Sequence, residues 1–298
     1  MSRWARYRRA SMIARGVILV ALMNHGSALA QTTASQGRAP SKVTEPDTED
    51  HTDENADVSR QLANPIANMV SIPFQFNWAG PIEPFDSTGF DLNFQPVVPF
   101  TLNEDWNLIL RFILPLAGVP ALTTNGIPEN GTSDITASLF FSPAHGKWIW
   151  GVGPVFLIPT STNPLLTQGK WAIGPTAVVL REVGPWTLGV LANQEWSYAS
   201  MADYFTTSVN QMFLQPFATL QMKHAVSLTF TSEQNYHWKA PDDQRSTVPI
   251  QAFLAKVTRL GPFPFQVEGG GGYFVVRPDG AEHWMMRLNF ILILPRKR

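Results

Sequence analysis

Cysteine is absent from the 298 residues, so no disulfide stabilises the fold. Charge is scarce too: Asp, Glu, Lys and Arg amount to 15%, and the net charge of −1 leaves no basic stripe for nucleic acid. No apolar run reaches the ~20 residues that a membrane-spanning helix requires. Hydropathy alone would therefore describe a soluble chain, but aromatic residues at 11%, ten of them tryptophan, fit that description poorly.

The first residues carry a targeting pattern. Arg3, Arg6, Arg8, Arg9 and Arg15 precede the apolar run Gly16 to Met23, and Ala28-Leu29-Ala30 offers a small-residue cleavage site before Gln31. Residues 1–30 are expected to be a secretory signal peptide, since the run is too short for an uncleaved anchor. From 31 to 63 aromatics are few, and Glu45, Asp47, Glu49, Asp50, Asp53, Glu54 and Asp57 stand against Arg38, Lys42 and Arg60. Such a stretch buries too little apolar surface to offset its ordering entropy, so it is expected to be a disordered periplasmic leader.

Beyond Asn64 apolar residues recur at every second position, the period of a strand with two unlike faces. Phe90, Leu92 and Phe94 alternate with Asp91, Asn93 and Gln95; Ile72, Phe74, Phe76 and Trp78 form a similar set, as do Trp106, Leu108, Leu110 and Phe112. Strands are expected near 70–79, 88–100, 106–115, 133–142, 148–159, 170–181, 186–199, 208–221, 225–237, 247–258, 264–276 and 283–294. Long connections alternate with tight ones, the tight ones being Thr101 to Asp105, Pro143 to Lys147, Glu182 to Pro185, Met222 to His224 and Arg259 to Phe263. Short periplasmic turns, longer outer loops and an even strand count describe an all-β, transmembrane, antiparallel up-and-down β-barrel of about twelve strands over residues 64–298, placed in the bacterial outer membrane.

Tryptophan supports this placement, because its ring and N–H favour the boundary between hydrocarbon and water. Trp106, Trp148, Trp150 and Trp186 fall at the expected periplasmic strand ends, and Trp78, Trp171, Trp196, Trp238 and Trp284 at the outer ends, forming two interfacial girdles. Charges inside strands should avoid lipid, where Arg or Lys at the midplane costs about 2–4 kcal/mol. Asp91, Asn93, Gln95, Arg111, Glu195, Glu233, Glu268 and Arg287 have the opposite parity to the apolar set and are expected to line the lumen. Arg181 and Lys256 break the rule at periplasmic strand ends. Pro96, Pro154, Pro175, Pro216 and Pro249 fall inside strands of a sheet without edges, so bulges or kinks are expected there, with Gly153-Pro154 and Gly174-Pro175 as related bends on neighbouring strands.

With the strands laid out, Leu92 to Leu116, Trp148 to Thr160, Gly169 to Leu180, Gly184-Pro185-Trp186-Thr187 and Val209-Asn210-Gln211 to Phe217 resemble a family of bacterial outer-membrane barrels named for the MetA pathway of phenol degradation. The resemblance spans Asn64 to Pro295. It implies a transporter-like barrel and supplies no catalytic residues. The basic end Pro295-Arg296-Lys297-Arg298 departs from the aromatic terminus of such barrels, and Phe290 is the substitute candidate for the signal read by the outer-membrane assembly machinery.

Chemistry is sparse. His51 lies in the leader and His145 and His224 in turns, leaving His237 and His283 near the outer rim, so a hydrolase built on Ser232 and His237 is the minor alternative. The Glu268-Gly269-Gly270-Gly271-Gly272-Tyr273 run lacks the Gly-Lys-Ser/Thr of a phosphate loop and is read as strand glycines permitting a close approach. No enzyme, metal or cofactor is expected; the partners are outer-membrane lipid and an unidentified small solute. The leading expectation is a channel for small molecules, with hydrophobic or aromatic catabolic substrates implied by the resemblance, and its alternative is a barrel plugged by its own lumen charges. The loop Ala117 to Thr132 could fold inward as a constriction, in which case deleting Thr123 to Asn130 raises single-channel conductance; an unchanged conductance with intact folding removes that idea.

Overall fold

The computed structural model describes residues 48–83, 86–119, 129–261 and 263–294. The expected signal peptide 1–30, the leader up to residue 47, the loop at 120–128 and the basic tail 295–298 lie outside them.

A helix, α1 (Thr48–Leu62), precedes the strands β1 (Val70–Ile82), β2 (Ser87–Phe94), β3 (Val97–Thr101), β4 (Trp106–Val119), β5 (Glu129–Thr132), β6 (Ile135–Pro143), β7 (Ile149–Ile158), β8 (Lys170–Val183), β9 (Trp186–Ser200), β10 (Asn210–Gln221), β11 (Val226–Thr231), β12 (Gln234–His237), β13 (Ser246–Leu260), β14 (Phe263–Val276) and β15 (Trp284–Leu294). Every pairing is antiparallel. The pieces β2 and β3, β5 and β6, and β11 and β12 each make one interrupted stave, giving a closed barrel of twelve. Closure comes from β15 on β1, in register from Val70↔Leu294 to Gly80↔Trp284.

The interruptions have a common cause, since proline supplies no ladder donor. Pro96 separates β2 from β3, the gap between β5 and β6 faces Pro115, where Ser133 N–H still reaches the proline carbonyl at 2.9 Å, and the gap between β11 and β12 faces Pro216. The register between β13 and β14 slips at Val248/Pro249. Pro154 and Pro175 are direct cross-strand partners, and on the flank away from that pair each preceding glycine lies under a neighbouring carbonyl.

Alternation decides what each stave shows to either side. Ile250, Leu254, Tyr273 and Met286 point outward and are 62%, 54%, 55% and 58% exposed, part of an apolar belt around the barrel that a water-soluble protein would have to cover. Tryptophans collect at both rims of this belt. Trp106 packs edge-on against Trp150 with centroids 5.9 Å apart, and Trp78 packs on Phe90 at 5.0 Å. Arg181, one of the parity exceptions, stacks its guanidinium 5.3 Å from the Trp148 ring, a cation–π contact suited to a rim.

Two expectations are corrected. Residues 48–62 of the leader are helical rather than disordered, and the following segment enters the tight-turn mouth of the barrel. Val58, Ala67 and Met69 pack with Ala225, Val257, Ile291 and Ile293 on inward faces of the wall. Ser59 Oγ donates to Gln221 Oε1 at 2.9 Å, and Arg259 pairs with Glu54 at 2.6 Å. Asn64 Oδ1 accepts from Ile66 N–H at 2.9 Å, a turn that aims Ile66 into a cluster with Ile109, Phe140, Val178, Leu180 and Leu191. A helix this polar is marginal alone; the inward apolar wall supplies the burial that its own sequence lacks. The second correction is that wall itself: β4, β6, β7, β8 and β9 carry apolar side chains on both faces, so the interior is not lined by polar groups throughout.

Candidate lumen site

The polar half of the interior is built on β1, β2, β14 and β15, whose outward residues are apolar and whose alternate positions are amides and charges. Asn77 is in register with Arg287 on one side and Asp91 on the other. Its amide joins them: Arg287 Nε donates to Asn77 Oδ1 at 2.7 Å, and Asn77 Nδ2 donates to Asp91 Oδ2 at 2.9 Å. Asn93 Nδ2 adds a second bond to the same carboxylate oxygen at 2.6 Å.

Arg287 then spans the interior. Its guanidinium makes a bidentate pair with Glu233, Nη1 to Oε1 at 2.7 Å and Nη2 to Oε2 at 2.9 Å, although two whole staves, β13 and β14, separate the residues. It crosses them over the Phe253 ring, 4.9 Å from the centroid. Gly270 makes this route available, because a Cβ there would stand 2.8 Å from the Phe253 ring and 2.1 Å from the Ala252 carbonyl. The glycine run thus lies within a strand and permits close packing, as the strand reading expects. From the opposite wall Arg111 comes within electrostatic reach of Glu233 and donates to Gln95 Oε1 at 3.3 Å.

This belt of charge roofs a cavity of about 360 Å³. Leu62, Pro65, Ala67 and Met69 form its floor, so the chain's own N-terminal segment lies across it at the tight-turn end. Asn93, Gln95, Arg111, Glu233, Glu268 and Arg287 border it, and Asp91 lies behind them against Asn77. Glu195 is elsewhere. It accepts from Gln211 at 2.6 Å beneath the long loop 159–169, which Asp134 holds down through Thr167 Oγ1 at 2.7 Å and Gln168 N–H at 2.7 Å. Of the expected lumen residues, seven therefore meet around one cavity and belt, and one belongs to a loop anchor.

Sequence reasoning missed Gln75, Asn77, Gln266 and Asn289, which share the inward parity of the named residues but carry no charge to draw attention. The parity rule, applied to amides on every stave, would have found them. Ser232 Oγ donates to the Pro249 carbonyl, and no hydrogen bond joins it to His237 among the described residues. Nor do three or more His, Asp or Glu side chains gather there in a way that could hold a metal ion.

Comparison with solved structures agrees on architecture. The chain is similar to an outer membrane channel from Pseudomonas putida F1, with a TM-score of 0.53 at 14% identity over 76% of this chain and 96% of that one. It is also similar to the NanC porin, with a TM-score of 0.47 at 8% identity over 76% and 100%. An outer membrane phospholipase from Salmonella typhi, solved as a dimer with bound calcium, gives a TM-score of 0.39 at 9% identity over 81% and 98%. At such identity the first likeness shows the fold alone. No family model matches the sequence, and no curated protein does.

Proposed function

We propose that the protein is a bacterial outer-membrane channel for small molecules, held shut at its periplasmic end by its own N-terminal segment. One observation carries this reading: a separate stretch of chain, not the wall, floors the interior cavity. A barrel that only had to be filled would need no such removable element, whereas a gate must be held by contacts that can be broken, and the ties of α1 to the wall include the Arg259–Glu54 ion pair, a bond from Arg259 to Asn55, the Ser59–Gln221 contacts and an apolar patch around Val58. In this reading the tryptophan rims sit at the two lipid–water boundaries. Kinship with the barrels of the phenol-degradation pathway belongs to the same proposal, supported by the strand and turn motifs quoted above.

The interior also supports a class of solute. With the plug withdrawn, Ile109, Phe140, Val178, Leu180 and Leu191 would face the charged belt across the lumen. A passage with one apolar and one polar wall suits amphipathic solutes, which includes hydrophobic or aromatic catabolic substrates bearing a polar group.

The second reading, a barrel sealed by its lumen charges, is favoured by the Arg287–Glu233 bridge across the interior. Planar-bilayer recording separates the two. The mature chain should give rare, small steps, and a chain lacking residues 31–69 should give frequent, larger ones. Ile66→Asp, which puts a charge into the apolar cluster and so expels the segment, should act in the same direction. Silence from all three, in preparations that fold, would establish the sealed barrel.

A further inference from the structure

One wall of the cavity is short of donors. Gln266 is 4% exposed, borders the cavity and leaves Oε1 without a partner. Asn289 Oδ1, also on the cavity, is likewise buried and unpartnered, while its Nδ2 donates to Glu268 Oε1 at 3.4 Å, which fixes the way the amide faces. That long bond is the only side-chain hydrogen bond to Glu268 among the described residues. A buried acceptor left unpaired is costly, so two on adjacent strands, beside a carboxylate with a single long bond, mark a place where a donor group belongs. The charged neighbours do not fill it. Arg287 faces the cavity within electrostatic reach of Glu268, but its N–H donors are committed to Glu233 and Asn77, and Arg111 approaches from the other wall.

We propose that Glu268, Gln266 and Asn289 bind a primary ammonium group carried on a small apolar body. An ammonium offers three N–H donors, one for each oxygen centre, and its single charge matches the single carboxylate. A divalent metal would ask for six or more oxygens and more negative charge than the site holds. Ile113, Phe213 and Ile291 border the same cavity and would cover the apolar body. The volume is within the ~300–1,000 Å³ of small-molecule sites. Arg111 opposite disfavours a second cationic end, so a monoamine fits and a diamine does not. The proposal rests on the channel reading only for the route by which the amine arrives.

Calorimetric titration of the full mature chain, folded in detergent, tests it with benzylammonium as probe. Saturable binding is expected, with benzyltrimethylammonium, benzyl alcohol and potassium ion each weaker by about tenfold or more, because each lacks either the charge or the donors. Glu268→Gln and Gln266→Met should each weaken benzylammonium by a similar factor, and Asn289→Leu serves if either variant fails to fold by gel mobility and circular dichroism. Equal affinity for the trimethyl analogue or for potassium, unchanged binding in the folded variants, or no binding at all would overturn the site. Binding without conductance would remove the channel and leave the site; conductance without binding would do the reverse.

Discussion

Replacing Arg287 by Ala is expected to destabilise the folded barrel by about 3 kcal/mol, near the low end of what breaking a buried ion pair costs. The reason is what remains. Glu233 would lose both bonds of its bidentate pair, keeping a bond from its own backbone N–H to Gln251, a 3.4 Å bond from Gln215 and the more distant charge of Arg111, while Asn77 would lose the donor that orients it toward Asp91. Side-chain exposures of 10% for Arg287 and 24% for Glu233, both of which border the cavity, give the stranded carboxylate some access to water, which holds the cost to the lower figure. Urea unfolding in lipid vesicles, followed by tryptophan emission, measures the difference. The double variant Arg287→Met/Glu233→Leu separates pairing from packing: it should recover most of the loss, because removing both charges also removes their desolvation. If the double variant were as unstable as the two single losses added together, the bridge would not be what holds the belt in place.

How much of this was legible in the sequence depends on whether a stave's two faces differ in chemistry. On β1 and β2 they do: Phe74, Phe76, Phe90 and Leu92 face out while Gln75, Asn77, Asp91 and Asn93 face in, and the strand limits follow closely. On β8 the inward Ala172, Val178 and Leu180 are as apolar as the outward Ile173 and Val179, so only Trp171 betrays the parity and the apolar half of the interior stays hidden. The helix at 48–62 was illegible for the same reason. Its few apolar residues look insufficient until Val257, Ile291 and Ile293 are known to face inward at the mouth it enters. Nor can alternation alone pair Arg287 with Glu233, since it gives the face of each residue but not the width of the barrel or the bare strip of Gly270 over which the side chain reaches. Glu195 shows the opposite error: correct parity says inward, yet height along the stave places it under a loop, away from the belt.

Gly174→Ala should abolish assembly, seen as the absence of any folded, heat-modifiable species. On β7 and β8 the prolines 154 and 175 stand directly opposite each other, so the lack of two N–H groups is concentrated at one cross-strand pair. The ladders on the outer flanks of that pair break as well: β6 and β7 are in register at Ser138↔Val155 and again at Phe141↔Val152, and β8 and β9 at Ile173↔Trp196 and again at Thr176↔Asn193. What keeps the sheet closed across these gaps is proximity, with the carbonyl of Gln194 lying where a Cβ on Gly174 would be, 1.7 Å away, and that of Leu139 2.0 Å from a Cβ on Gly153. Neither obstacle is the flexible end of a side chain, so an added methyl must push strands apart at a point where the ladder is already interrupted. In a bilayer the exposed backbone has no water to turn to, which makes opening the ladder costlier than in a soluble sheet. Gly184→Ala is the control, because Gly184 has φ +58° and open space around its Cβ position. It should cost only about 1 kcal/mol of backbone strain and assemble normally. A folded Gly174→Ala barrel would mean that the ladder at the proline pair has slack that this geometry denies.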